Sequence, residues 1–233
     1  MHKVNSIELI KIHKWVKKFV QFATPKETWS SYNYTKEGMN IMFDEMTEKK
    51  QKITIDDDWG IINVVGDIFL RHPNLADGEH LVDNVLPSFI QFGNIDGDFD
   101  CSDFGLTTLR GCPKRVDGYF SAEENLLINL EYLPKKIKKG IDLSDNSLTS
   151  MEGLPRHIKG GLSLANNLIE RIDEHCPVYI GGNFDIVCNP IKTIVHFPRK
   201  IKGELSISNK IYLDHKDYLE FNCKSAGVDR FDY

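Results

Sequence analysis

Side chains able to do chemistry are present in this sequence, but they are scattered. The histidines, His2, His13, His72, His80, His157, His175, His196 and His215, are dispersed, and none falls into an HExxH pair. The run Asp173-Glu174-His175-Cys176 collects metal-ligand types. Cys176, however, fills an apolar position before a proline that Cys112, Leu133, Leu154 and Phe197 also fill, so a buried structural thiol is expected there. Asp96, Asp98, Asp100 and Asp103, in NIDGDFDCSD, offer the carboxylate oxygens that calcium prefers. Alternation along an extended segment puts Asp98 and Asp100 on one face, too stretched to wrap one ion, and the glycine-aspartate nonapeptide of calcium-binding solenoids is missing. Asp56-Asp57-Asp58 offers carboxylates for acid–base work, although consecutive carboxylates in a strand alternate sides and more simply form a solvated edge or turn. No phosphate loop, GxSxG elbow, EF-hand loop or CxxC occurs. Catalytic residues, metal and cofactor are therefore all unassigned, and a non-enzyme is expected.

The chain has 233 residues, 41% hydrophobic and 27% charged, enough for a sizeable core. Its formal net charge of −5 gives no global basic field, so any binding to nucleic acid or an anionic membrane needs a segregated patch. Five cysteines, Cys101, Cys112, Cys176, Cys188 and Cys223, make an odd set, and MHKVNSIELIKIHKWVKKF lacks the apolar run of a signal peptide. An intracellular, cytoplasmic protein with reduced thiols is expected. On that expectation the sequon Asn33-Tyr34-Thr35 is idle. No stretch approaches the roughly 18 apolar residues needed to span a bilayer, and no membrane partner is assigned.

What must position these residues is an internal period. Pro113, Pro134, Pro155, Pro177 and Pro198 are separated by 21, 21, 22 and 21 residues. Such spacing marks a tandem array. With each proline as offset 0, offset 3 reads Val116, Ile137, Ile158, Ile180 and Ile201; offset 7 reads Phe120, Ile141, Leu162, Phe184 and Leu205; offset 9 reads Ala122, Leu143, Leu164, Ile186 and Ile207. An earlier copy starts at Phe92, and a degraded one has Val64, Gly66, Ile68, Leu70 and Leu75. The alternation at offsets 7 and 9 predicts one short strand per unit, with offsets 6, 8 and 10 facing out. About six to seven coils would then stack in parallel.

Offset 12 holds Asn125, Asn146, Asn167 and Asn189, which predicts an amide ladder tying adjacent coils. Offset 5 holds Gly97, Gly118, Gly160, Gly182 and Gly203, with Lys139 as the exception, which predicts a positive φ or a tight approach. The string L-x-L-x-x-N-x-L, in IDLSDNSL and LSLANNLI, resembles the leucine-rich repeat over residues 92–218. The Leu-Pro opening looks like the short type of bacterial effectors. LTTLRGCPKRVDGYF and LTSMEGLPRHIKGGL resemble repeats of bacteriophages and large DNA viruses. The resemblance implies an α/β solenoid, a leucine-rich-repeat array acting in protein–protein and host–virus interaction. Phe104 and Lys210 replace the offset-12 asparagine in the end copies, as capping units do.

The expected organisation is a helical N-terminal cap at 1–60, a degraded repeat with an insertion at 61–91, repeats at 92–218 and a tail at 219–233. Asn5, Glu8, Val4 and Leu9 form an N-cap with a hydrophobic staple, predicting a helix from Ser6 to about Ala23 with Ile10, Val16, Phe19 and Val20 on its apolar face. A second helix near 36–49, a strand at 52–55 and an insertion at 72–85 are also expected.

Charge is sorted by offset. Offsets 6, 8, 10 and 11 carry nine acidic residues and no Lys or Arg: Asp98, Asp100, Asp103, Glu123, Glu124, Asp142, Asp145, Asp185 and Glu204. Offsets 1, 2, 4 and 5 carry Lys114, Arg115, Lys135, Lys136, Lys138, Lys139, Arg156, Lys159, Arg199, Lys200 and Lys202. The favoured expectation is a protein-binding module whose acidic strand face, with Tyr119, meets a basic surface of a partner protein. By the viral resemblance that partner is a host factor, such as a nucleic-acid-handling or defence protein. The alternative is nucleic-acid or phosphate-surface binding through the basic strip. A structural origin, turns favouring Asp and loops favouring Lys, stands beside both.

Overall fold

The computed structural model describes residues 3–22, 52–70, 84–225 and 227–231. The helix expected at 36–49, Leu75 and most of the expected insertion lie outside them.

A residue with one inward apolar side chain per corner can close a 21-residue coil only if the backbone polar groups pair with the coils above and below. That is how this chain is wound: it is a β-solenoid of about six turns with parallel strands. Offsets 7 and 8 build the long face, a nine-stranded sheet in which Ile68, Phe99, Phe120, Ile141, Leu162, Phe184, Leu205 and Val228 lie in register from coil to coil. The inward columns at offsets 7 and 9, from Phe99 and Cys101 to Leu205 and Ile207, are all buried. Val64 and Ile68 fall in the columns of Ile95 and Phe99, so the degraded copy is a true coil.

One strand per unit is too few. Offsets 2 and 3 form a second parallel face, pairing Arg115 with Lys136, and His157 with Tyr179 and Lys200. Offsets 16 and 17 form a third, Arg171 with Thr193 and Ile172 with Ile194. In the proline-bearing coils each strand of these faces is two residues long, too short to display an alternation in sequence. Offset 10 was expected to face out, yet Ser144, Ala165, Val187 and Ser208 are buried. The reason is the next residue: offset 11 has left-handed φ in Asp103, Glu124, Asp145, Asn166 and Cys188, which turns the chain inward one residue early.

Among the described residues no coil contains an α-helix. The helices α1 (Ser6–Phe19), α2 (Asn209–Asp214) and α3 (Lys216–Asn222) stand at the ends, so the helical part of the expected α/β class is terminal. Helix α1 starts on a capping box: Asn5 Oδ1 accepts from Ile7 and Glu8 N–H at 3.0 Å each, and Glu8 Oε2 accepts from Asn5 N–H at 2.9 Å. Its buried face is Ile12, Trp15 and Val16, while Ile10 is 54% exposed. Trp15 sets that face by meeting Phe92 edge-on at 6.3 Å, which places the helix over the first coils. It ends at Phe19 rather than Ala23, because Val20–Phe22 pairs antiparallel with Ile68–Leu70 at the end of the long sheet. The strand at Lys52–Ile55 is present and hairpins onto Ile61–Val65.

Candidate interaction surfaces

Each coil crosses from the long face to the next side by a tight turn, and its side chains are shaped by that turn. At offset 8, Asp100, Asp142 and Asp185 each accept the N–H two residues on, at 2.8, 3.0 and 3.1 Å. This is the Asx turn. The intervening coils carry Ser121, Ser163 and Ser206 in the same register, so the turn itself does not require a charge. At offset 12 the predicted ladder is complete in four copies. Asn167 Oδ1 accepts from Leu148 N–H at 2.9 Å, and its Nδ2 donates to the carbonyls of Leu143, Leu164 and Ala165 at 2.9, 3.1 and 3.1 Å. Asn125, Asn146 and Asn189 repeat the pattern.

Besides Asp103, the turn gathers six carboxylates: Asp100, Glu123, Glu124, Asp142, Asp145 and Asp185. Burial first, then the Asp142, Glu124, Asp145 and Asp100 charges, push the Glu123 carboxyl up to about 7. Burial is also the leading cause that raises Asp142 and Asp185, against the hydrogen bonds that lower them. Asp142 further accepts from Ser144 Oγ at 2.5 Å. Among the described residues no Lys, Arg or His ion-pairs with any of the six. Asp103 is exposed at the same turn, one coil before Glu123 and Glu124, its N–H donating to the Glu123 carbonyl at 3.0 Å.

Asp98, Tyr119 and Glu204, at offset 6, belong to the corner rather than to this cluster. Asp98 Oδ1 accepts from Tyr119 N–H at 2.8 Å and pairs with Lys139 at 3.2 Å, so its charge is met. The Tyr119 ring covers Gly140, with the Lys139 ammonium 5.3 Å from its centroid. Glu204 is exposed, its N–H held by Asn183 Oδ1 at 3.0 Å. Asp67, not singled out from the sequence, does the same for Asp98 N–H at 2.7 Å. From Gly97 onward the glycines at offset 5 serve close approach rather than positive φ, which Gly66 of the degraded copy adopts: a Cβ on Gly118 would lie 2.6 Å from the Gly97 carbonyl carbon.

The basic residues flank the second face. Lys114, Lys135, Lys136, Lys138, Arg156, Lys159, Arg199 and Lys200 are exposed and Arg115 is half-buried. Asp117 takes Arg115 at 2.6 Å and Lys138 at 2.7 Å; Arg115 foremost holds its carboxyl down to about 2. The strip is broken at the Pro177 coil, where Tyr179 stands between His157 and Lys200. Lys224, missed in the sequence, extends it by bridging to Lys200.

The remaining chemical candidates have structural places. Asp56 closes the hairpin, accepting from Asp58 and Trp59 N–H at 3.0 and 2.7 Å, and Asp58 pairs with Lys3. Asp173 turns the backbone before Cys176, accepting from His175 N–H at 3.1 Å. Cys101, Cys112 and Cys176 are buried in the core as expected. The adjacent Cys112 thiol, then burial, raise Cys101. Among the described residues no helix is long and apolar enough to cross a membrane. No protein-family model, no curated protein and no solved structure matches this chain.

Proposed function

We propose that this solenoid is a non-catalytic protein-binding module whose acidic turn face docks a basic surface of a partner protein. The observation that carries the reading is the contrast between its carboxylates. Asp58, Asp98, Asp117 and Glu170 each have a cationic partner, whereas the six at the turn have none among the described residues. Serine in alternate coils meets the same turn, so the charge is surplus to folding, and crowding it into a half-desolvated strip costs stability. Cationic side chains from a partner would relieve that cost, and the field would steer their approach.

The coils fit a leucine-rich repeat of the short effector and phage type, supported by the L-x-L-x-x-N-x-L string and the asparagine ladder. On this reading the partner is a host enzyme or defence factor, nucleic-acid-handling proteins included, met in the cytoplasm. That step rests on the sequence resemblance alone.

The test is charge removal that keeps the turns: Asp100→Asn, Glu123→Gln, Glu124→Gln, Asp142→Asn, Asp145→Asn and Asp185→Asn together retain each acceptor oxygen. Affinity purification followed by titration of the recovered partner should show at least about a hundredfold loss, with the fold intact by circular dichroism. Unchanged binding by this variant, or loss only on Lys135→Glu, Lys136→Glu and Lys138→Glu, overturns the proposal.

A further inference from the structure

The second face carries an inference that goes beyond the reading above, because it uses none of those carboxylates. At offset 2, parallel pairing sets His157, Tyr179, Lys200 and Lys224 one above another. Lys136 stands one coil earlier in the same column, its coil tied on by Gly160 N–H donating to the Lys139 carbonyl at 3.0 Å. The His157 and Tyr179 rings lie 6.3 Å apart at 29° to each other, and the Lys202 ammonium is 6.0 Å from the Tyr179 centroid. All but the half-buried Tyr179 are exposed. Among the described residues Lys136, Lys200, Lys202 and Lys224 ion-pair with no carboxylate, unlike Arg115 and Lys138 on Asp117.

We propose that this column binds single-stranded nucleic acid. Charge selects a polyanion: Lys136, Lys200 and Lys224 stand in one column of coils spaced about 4.8 Å apart, and Lys202 adds a fourth ammonium beside Lys200, all four free of counter-charge among the described residues. The rings select among polyanions. Two aromatic side chains set among the cations offer bases a π-surface, which a duplex cannot use because its bases are already stacked, and which a lipid headgroup has no base to meet. Lys202 holds the place over Tyr179 that a base would take, and being exposed it can swing to a phosphate. Shape agrees: the column is one residue wide and runs along the solenoid axis for about 19 Å, the reach of a few nucleotides. The acidic face, across the glycine corner, repels the backbone and confines the strand to this side.

Fluorescence anisotropy of a labelled mixed-sequence strand of about 12 nucleotides, titrated with the full chain from about 50 to 200 mM salt, tests this. The same strand as a duplex and phosphatidylserine vesicles are the comparison ligands. The single strand should bind best, with a log–log salt slope of roughly −3 for four phosphates neutralised. Tyr179→Ala should weaken it about tenfold and Tyr179→Phe restore it, since the ring and not the hydroxyl stacks. Lys200→Glu with Lys202→Glu should abolish it, while the charge-removed acidic variant should bind at least as well. No binding at low salt, tighter binding of duplex or vesicles, or wild-type binding by folded Tyr179→Ala overturns the proposal. None of these outcomes bears on the acidic face.

Discussion

Glu123 is the residue on which the acidic strip presses hardest, and its titration gives the strip a measurable cost. The folded carboxyl titrates near 7 against 4.5 ordinarily. As pH rises the unfolded chain therefore releases its proton first, and the folded state loses stability between those two values. Below the lower value the cost is absent. Glu123→Gln should thus stabilise the protein at pH 8 by roughly 1–2 kcal/mol, after discounting for a half-exposed group, and by nothing at pH 4. Thermal melts at the two pH values check it. The acidic residues could be counted from the sequence, because offset alone decides who shares a face. Which of them stay without a cation could not, because Lys139 reaches Asp98 from two coils away and Asp117 draws cations from its own coil and the next.

Among the elements, the asparagine ladder was fully legible: a polar residue recurring at a bend in a buried column has few other uses. Asn167→Ala would leave the buried Leu148 N–H without its partner and take one of two donors from the Leu143, Leu164 and Ala165 carbonyls, and should cost about 2–3 kcal/mol in urea unfolding. The start of α1 was equally legible, since Asn5 and Glu8 act locally. Its apolar face was legible in part: Val16 is buried as expected and the side chains of Phe19 and Val20 lie outside those described, but Ile10 is exposed because Trp15 packs on Phe92 and Ile12 on Gly60. The second and third faces escaped for a different reason. A two-residue strand has no period, and only stacking of neighbours turns offsets 2, 3, 16 and 17 into ladders.

Across the whole molecule the stitching is uneven. The amides of Asn125, Asn146, Asn167 and Asn189 tie five successive coils, whereas Phe104 and Lys210 leave the junctions beyond them without one. Stability in such an array is a sum over neighbours, so opening should begin at the ends. Hydrogen exchange should show amides from Phe99 to Ile186 protected at least about tenfold more than those of 61–70 and 204–208; equal protection throughout would mean that the array opens as one unit. The ladder also has a direction. Each asparagine reaches back to the coil before it: Asn125 to Cys101 and Leu106, Asn189 to Leu164 and Ile169. During synthesis, then, each of these four coils leaves the ribosome carrying the amide that fastens it to chain already made. The open edge of a finished coil, such as Leu106 N–H, is closed only when the next asparagine arrives, and a duplicated 21-residue unit would arrive with its own fastening.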